Sequence, residues 1–324
     1  MREPAFLRRY KDKWQEYEQM LFGQRRTQID PDRLAELYIQ LTDDLAYART
    51  FYPQSQVVRY LNGLAARTYL TIYKNKQQQR SRLLTFWQIE LPLIMHRNHR
   101  QMLYALLMFC FFFLIGVLSA VQNSDFLRMV LGDGYVEMTI RNIEQGDPMG
   151  VYKDEPAFPM FVRIAFNNIQ VSFIAFVYGI FFTVGTIYIL FLNGVMLGAF
   201  LTFFHTRNLL WDALPVVYIH GTLEISAIVI AGGAGFVLGN SILFPGTLPR
   251  RAAVQRAAQD GVKVIVGLVP IFILAAFLEG YVTRLTQLPL WVKLLIIGTS
   301  LAFVLWYYLI YPILLAKRWT SPMT

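Results

Sequence analysis

The chain has 324 residues, of which 55% are hydrophobic and 15% aromatic, and its formal net charge is +9. This balance excludes an ordinary soluble domain, and a single cysteine, Cys110, inside an apolar run excludes an intramolecular disulfide, a thiolate metal site and a redox pair. The positive charge clusters beside apolar segments without a basic, aromatic-interleaved motif, so anionic lipid headgroups are the expected partners and no nucleic acid is.

Residues 1–10 are charged and lack an apolar core, which argues against a cleaved secretory signal. Beyond them, Phe6, Tyr10, Trp14, Tyr17 and Leu21 recur at helical spacing. So do Leu34, Leu37, Tyr38, Leu41 and Leu45, which follow Asp30-Pro31, an N-cap with proline in the first turn. A third stripe comprises Val57, Tyr60, Leu61, Leu64, Tyr69 and Ile72. Three amphipathic helices packed on one another are expected. Residues 83–95, apolar between Arg80, Arg82, Arg97 and Arg100, read as an interfacial helix kinked at Pro92. Residues 1–100 are thus predicted to be a cytoplasmic helical domain that recruits protein partners.

Residues 101–318 read as a transmembrane helical domain. The first uncharged stretch, residues 101–124, is long enough to cross a bilayer at about 1.5 Å per residue. Residues 164–206 then run for 43 positions without a formal charge, too long for one span. Gly179, Gly185, Asn193-Gly194 and Gly198 interrupt the run, so it holds either two tight spans or one span and a re-entrant half-helix. Residues 213–249, 264–278 and 294–316 supply the remainder, with kinks or frayed ends expected at Pro270 and Pro312. The fold class is therefore all-α, a polytopic bundle of five or six spans.

Residues 1–100 hold 17 Lys and Arg against 10 Asp and Glu, whereas the loop at 125–163 holds four against seven. The excess of basic residues places the N-terminus, Arg250, Arg251, Arg256 and Lys263, and the terminal Lys317 and Arg318 in the cytoplasm, and the 125–163 loop outside. Six spans satisfy this, and five do not. The cell inner (cytoplasmic) membrane is the expected location.

Between residues 213 and 249 the only formal charge is Glu224, one helical turn after His220. Each ionisable group at a bilayer centre costs about 2.5–3.5 kcal/mol, so the pair is a candidate site. Glu279 ends the next span, and because consecutive spans are antiparallel it can approach the pair from the same leaflet. His220, Glu224 and Glu279 are thus a candidate ligand set for a divalent metal or a proton relay. The competing reading is polar glue between helices, at around 1 kcal/mol. Asn167, Asn168 and Asn193 read as helix-end caps or interhelical hydrogen bonders. Ala231, Gly235 and Gly239 form a small-x-x-x-small stripe for close helix packing or a homodimer, and no Walker lysine follows to suggest a phosphate loop.

The strings Asn167-Asn168, Leu190-Phe191-Leu192-Asn193-Gly194, His220-Gly221-Thr222-Leu223-Glu224-Ile225-Ser226-Ala227, Ala231-Gly232-Gly233-Ala234-Gly235 and Leu278-Glu279-Gly280-Tyr281 together resemble the stage II sporulation protein M family of integral membrane proteins. The long helical N-terminal region is similar to that of members from bacteria that do not form spores. In spore formers the namesake works with peptidoglycan-degrading partners at the engulfing septal membrane. For this chain the resemblance implies a scaffold or assembly factor of an envelope-remodelling complex, and for the wider family it implies no settled substrate. The alternative class, drawn from the buried cluster, is a transporter or a membrane-embedded metal-dependent enzyme.

Overall fold

The structure, a computed structural model, describes residues 3–22, 31–76, 82–153, 155–285 and 287–320, with side chains for all of these except 20–22, 31–35, 69–76, 319 and 320. Every regular element among them is helical, and the chain divides into two compact units, Met1–Thr85 and Phe86–Thr324.

The first unit packs α1 (Glu3–Phe22), α2 (Pro31–Phe51) and α3 (Gln56–Lys76) around the three apolar stripes. Its core holds Phe6, Trp14, Tyr17, Leu37, Leu41, Leu45, Leu61 and Leu64, side chains whose burial is worth about 1.5–3 kcal/mol each. Phe6 is enclosed by Tyr10, Trp14, Tyr47 and Tyr52 at ring separations of 5.0 to 5.7 Å. The one polar atom of the Trp14 ring donates to Asp44 Oδ2 at 2.9 Å, and Lys13 donates to the same oxygen at 3.3 Å. The expected contributions of Asp30, Leu21, Leu34, Tyr69 and Ile72 lie outside the described residues and side chains. A short α4 (Arg82–Thr85) closes the unit.

The second unit opens with a π turn at Phe86–Glu90 and α5 (Leu91–Arg97). Within the stretch 83–95, α5 packs one face on the core: Leu91, Ile94 and Met95 are buried, and Leu91 fills the space left by Gly267. Two ion pairs hold it, Lys263 with Glu90 at 2.8 Å and Arg97 with Asp260 at 2.5 Å. Pro92 causes no kink. It stands in the first turn of α5, where its missing N–H has no helical partner, and the irregularity lies in the preceding π turn. Carbonyls of that turn accept hydrogen bonds from Tyr307 and Tyr311, at 2.7 and 2.8 Å.

After α5 come α6 (His99–Gln122), then a folded excursion of α7 (Ser124–Leu131), α8 (Asp133–Glu144) and a 3-10 turn at Gly150–Lys153. The remaining helices are α9 (Ala157–Val177), α10 (Val184–His205), α11 (Leu210–Leu243), α12 (Arg250–Phe277), α13 (Leu290–Leu305) and α14 (Tyr311–Thr320). Π turns at Leu278–Thr283 and Trp306–Ile310 extend α12 and join α13 to α14. Among the described residues six helices are long and apolar enough to cross a membrane, the shortest of 22 residues, about 33 Å against a core of about 30 Å. This is a multi-pass membrane protein.

The 43-residue uncharged run resolves into two full spans, α9 and α10, rather than a span and a half-helix. The reversal falls between Gly179 and Gly185, where Phe182 and Thr183 take positive φ angles of 53° and 70°. Asn193, Gly194 and Gly198 do not break α10. Gly194 and Gly198 bring it against α6, because a Cβ at either would meet the Phe109 or Phe113 carbonyl. Pro270 leaves α12 continuous, and the π turn before Pro312 adjusts the ladder next to a residue that donates no hydrogen bond.

The Ala231, Gly235, Gly239 stripe is used within one chain. Gly235 packs against Ala175 and Thr186, and Gly239 against Gly179 and Thr183, contacts that any side chain at these glycines would obstruct. Six consecutive crossings set residues 123–153, 155–156, 206–209, 284–285 and 287–289 at one end of the bundle. Residues 181–183 and 244–249 lie at the other.

Residues 1–80 expressed alone are expected to be helical by circular dichroism and to stay in the soluble fraction, since the core of the first unit is complete without the spans. An unfolded spectrum would show that these helices need the second unit or a partner.

Candidate functional site

Three elements far apart in sequence deliver the site. His220 and Glu224 share a face of α11, Glu279 and Thr283 come from the π turn that ends α12, and Asn168 comes from the middle of α9. One ligand atom from each of His220, Glu224 and Glu279 lies within 4.8 Å of the others. His220 is buried, and Glu279 retains 16% of its side-chain exposure.

The hydrogen bonds fix the state of the imidazole. Thr283 Oγ1 donates to the Leu278 carbonyl at 3.1 Å, so it is left to accept from His220 Nδ1, also at 3.1 Å. Inferred from this network, His220 carries its proton on Nδ1 and turns the lone pair of Nε2 towards Glu279 Oε2, 3.9 Å away. The π turn makes this arrangement. Its wider winding brings the Glu279 carboxylate and the Thr283 hydroxyl onto the two nitrogens of one ring, a local geometry typical of functional sites. Gly280 lets the start of α9 approach this turn, since a Cβ there would press on Ala157 and Phe161.

The site is therefore rich in acceptors and poor in donors. Among the described residues no lysine or arginine forms an ion pair with either carboxylate. Asn168 neighbours Glu224, yet its buried Nδ2 makes no hydrogen bond of normal geometry. The excursion between α6 and α9 covers the cluster. Its Tyr152 is buried edge-on to the His220 ring at 5.7 Å, and Met149 and Tyr152 pack with Phe203, Phe204 and Val216. Burial, with the nearby Glu279 charge adding to it, holds the Tyr152 phenol well above its ordinary range, and burial raises Tyr135 to about 12. Both remain protonated donors. Arg284 clasps the same excursion to the π turn by donating to the Glu155 carbonyl at 2.6 Å.

The asparagines correct the sequence reading. None caps a helix: Asn167 and Asn168 stand inside α9, and Asn193 stands inside α10, donating to its own Ile189 carbonyl at 2.8 Å. Asn167 donates to Asn168 Oδ1 at 3.3 Å, which leaves the Asn168 amide nitrogen facing the cluster unpartnered. His220 and Glu224 do not simply satisfy each other, because the partners of the imidazole are Thr283 and Glu279. Sequence reasoning missed Thr283, Tyr152 and Tyr135. For Thr283 a signal existed, in its position one turn beyond Glu279 at the end of the same span. For the tyrosines there was none.

Glu224→Gln keeps size and shape and, with both proteins treated with a chelator, is expected to melt in detergent like the parent. His220→Ala removes the ring on which Thr283 and Tyr152 pack, and is expected to lose on the order of 2 kcal/mol and to melt several degrees lower. Melting curves check both, and an unchanged His220→Ala curve would contradict the packing described.

The comparisons with known proteins fall on the two units separately. The family model for stage II sporulation protein M matches residues 105–284, a range that contains every site residue named above and no residue of the first unit. A model described as a domain of unknown function (DUF8413) matches residues 4–74, the three-helix unit. No curated protein and no solved structure matches the chain. With more than half of its length inside the first match, and with six apolar spans built around the residues that this range contains, the chain belongs to the stage II sporulation protein M family.

Proposed function

We propose that the second unit is a membrane-embedded divalent-cation centre held by His220, Glu224 and Glu279, opening towards the extracytoplasmic side of the inner membrane. The observation that carries this is the convergence of three lone-pair-bearing atoms within 4.8 Å without a cationic side chain paired to either carboxylate. Zinc ligands at about 2.0–2.2 Å from the metal lie roughly 3.3–3.5 Å apart in a tetrahedron, so side-chain rotations of about 1 Å close the set. Thr283 is the outer partner that metal-bound histidines ordinarily have, fixing the tautomer that presents Nε2. Three protein ligands leave a position for water, and a metal there lowers the pKa of that water for hydrolysis. Tyr152, protonated and against the imidazole, is placed to donate to a substrate oxygen. The reading is a metal-dependent membrane enzyme.

Metal analysis of the full chain purified in mild detergent tests it. About one zinc, manganese or iron per chain is expected, falling below a tenth in Glu279→Gln or Glu224→Gln. Thr283→Val is expected to weaken binding about 10–100-fold with the fold intact. A metal-free protein whose melting is unmoved by added zinc or manganese would sink the proposal.

A second reading, a scaffold or assembly factor in an envelope-remodelling complex, is favoured by the separate first unit with its own apolar core and its own family match. In that role residues 1–100 recruit protein partners from the cytoplasm, and the basic flanks hold anionic headgroups.

Both readings take their orientation from charge: the 250–263 segment is basic and the 125–163 loop acidic. In a Cys110→Ala background, Gln145→Cys is expected to react with an impermeant thiol reagent in whole cells and Gln255→Cys is not. Reaction of Gln255→Cys from outside would reverse the topology.

A further inference from the structure

The face of α11 opposite the cation site carries a separate feature. Tyr218, Gly221, Thr222, Ile225 and Val229 form one wall of a groove of about 970 Å³ whose other walls are α6 and the α13–α14 span. This is at the upper end of the range for small-molecule sites. The hydroxyls of Thr222 and Ser226 donate to carbonyls of their own helix, at 2.7 Å each, so apart from the unpartnered hydroxyl of Tyr308 the interior is mostly hydrocarbon.

Gly221 makes the space informative. A glycine inside a helix is destabilising by about 1 kcal/mol relative to alanine, and the other glycines of α11 are held by close contacts, Gly235 and Gly239 with backbone and Gly232 and Gly233 with Leu190 and Met102. Gly221 is not, because a Cβ there would meet only Ile225 and Val217 of its own helix at ordinary distances of 3.6 and 3.8 Å. What its absent side chain leaves is room in the groove.

The two ends differ in polarity. One is closed by Phe113 and Tyr218, and the other reaches His96 and His99, whose rings stack at 6.0 Å. Arg100 follows on α6 with no acidic partner among the described residues, whereas Arg97 is already tied to Asp260. From His99 to Phe113 the groove follows α6 for about 21 Å at 1.5 Å per residue, more than half of a core about 30 Å thick. Exposed Leu106, Leu301 and Leu305 line it, so it is open from the side of the bundle.

A long apolar slot whose mouth is lined by two imidazoles, with the exposed Arg100 one residue further along α6 outside the lining, matches an amphiphile with one anionic end. We infer that the groove holds a hydrocarbon chain of an anionic phospholipid, with the phosphate at His96, His99 and Arg100. The charge at the mouth selects the headgroup, and the space at Gly221 admits the far end of the chain.

Native mass spectrometry of the full chain, titrated with dioleoyl phosphatidylglycerol or dioleoyl phosphatidylcholine, tests this. One phosphatidylglycerol is expected to be retained at least tenfold more tightly than phosphatidylcholine, and the double variant His99→Gln/Arg100→Gln is expected to remove the preference. Leu301→Trp, on a helix with no buried residue, is expected to block retention without lowering the melting temperature. Should that variant not fold, Ile297→Trp on the same helix serves. Equal retention of the two lipids by the parent would overturn the inference. So would a Cys110–Cys110 cross-link between copies that phosphatidylglycerol fails to suppress, since Cys110 lines the groove and a second chain would then be its occupant.

Discussion

Three acceptors meeting in a place with little water is the constraint on which the second unit turns. His220 cannot donate from Nε2 once Thr283 has claimed its Nδ1 proton, and the two carboxylates have no lysine or arginine paired with them among the described residues. Left to hydrocarbon, such groups would be strongly destabilising. The fold surrounds them instead with α9, α11, the end of α12 and the covering excursion, and three of these bring a polar group close: the Asn168 amide, the Thr283 hydroxyl and the Tyr152 phenol. Close packing is the condition for this convergence. The π turn after α12 presents two side chains to one ring, and Gly280 allows α9 close enough to bring Asn168 beside Glu224.

The helix α11 separates three tasks by angle and height. Successive residues turn by about 100°, so His220 and Glu224 face the cluster while Gly221, Ile225 and Tyr218 face the groove on the other side. Lower down, Gly235 and Gly239 meet the turn between α9 and α10 backbone to backbone. A helix with so many contacts has little freedom to shift, and most of it is buried, in contrast with the α13–α14 span, which buries 11% of its apolar window. The His220, Glu224 and Glu279 cluster therefore rests on the most buried span of the bundle, and the groove lies between that helix and the least buried one.

The two units also follow opposite packing rules. In the first, apolar stripes face inward and charges face out, so that aromatic rings around Phe6 supply the core. In the second, large apolar side chains such as Leu107, Phe111 and Leu118 are exposed on α6, while the interior holds others such as Phe203, Phe204 and Phe272 beside the small residues at which helices meet. Residues 86–97 belong with the second rule. Leu91 and Ile94 are buried in the same cluster as α12, between the basic flanks that mark the stretch in the sequence.

Much of this was legible in the chain itself. Uncharged length marked the spans, the reversal inside residues 164–206 was one of two readings that the glycines allowed, and the stripes at Phe6, Leu37 and Val57 marked the three-helix unit, since hydrophobic periodicity depends only on neighbours in sequence. Antiparallel order alone brought Glu279 to the level of His220 and Glu224. Tertiary structure decided the rest. The tautomer of His220, the roles of Thr283 and Asn168, the cover by Tyr152 and the groove beside Gly221 all depend on contacts between segments more than 40 residues apart. The π turns depend on how a helix end is packed rather than on its composition. Sequence spacing fixes which residues share a face of one helix, and only the packing of helices fixes which faces meet.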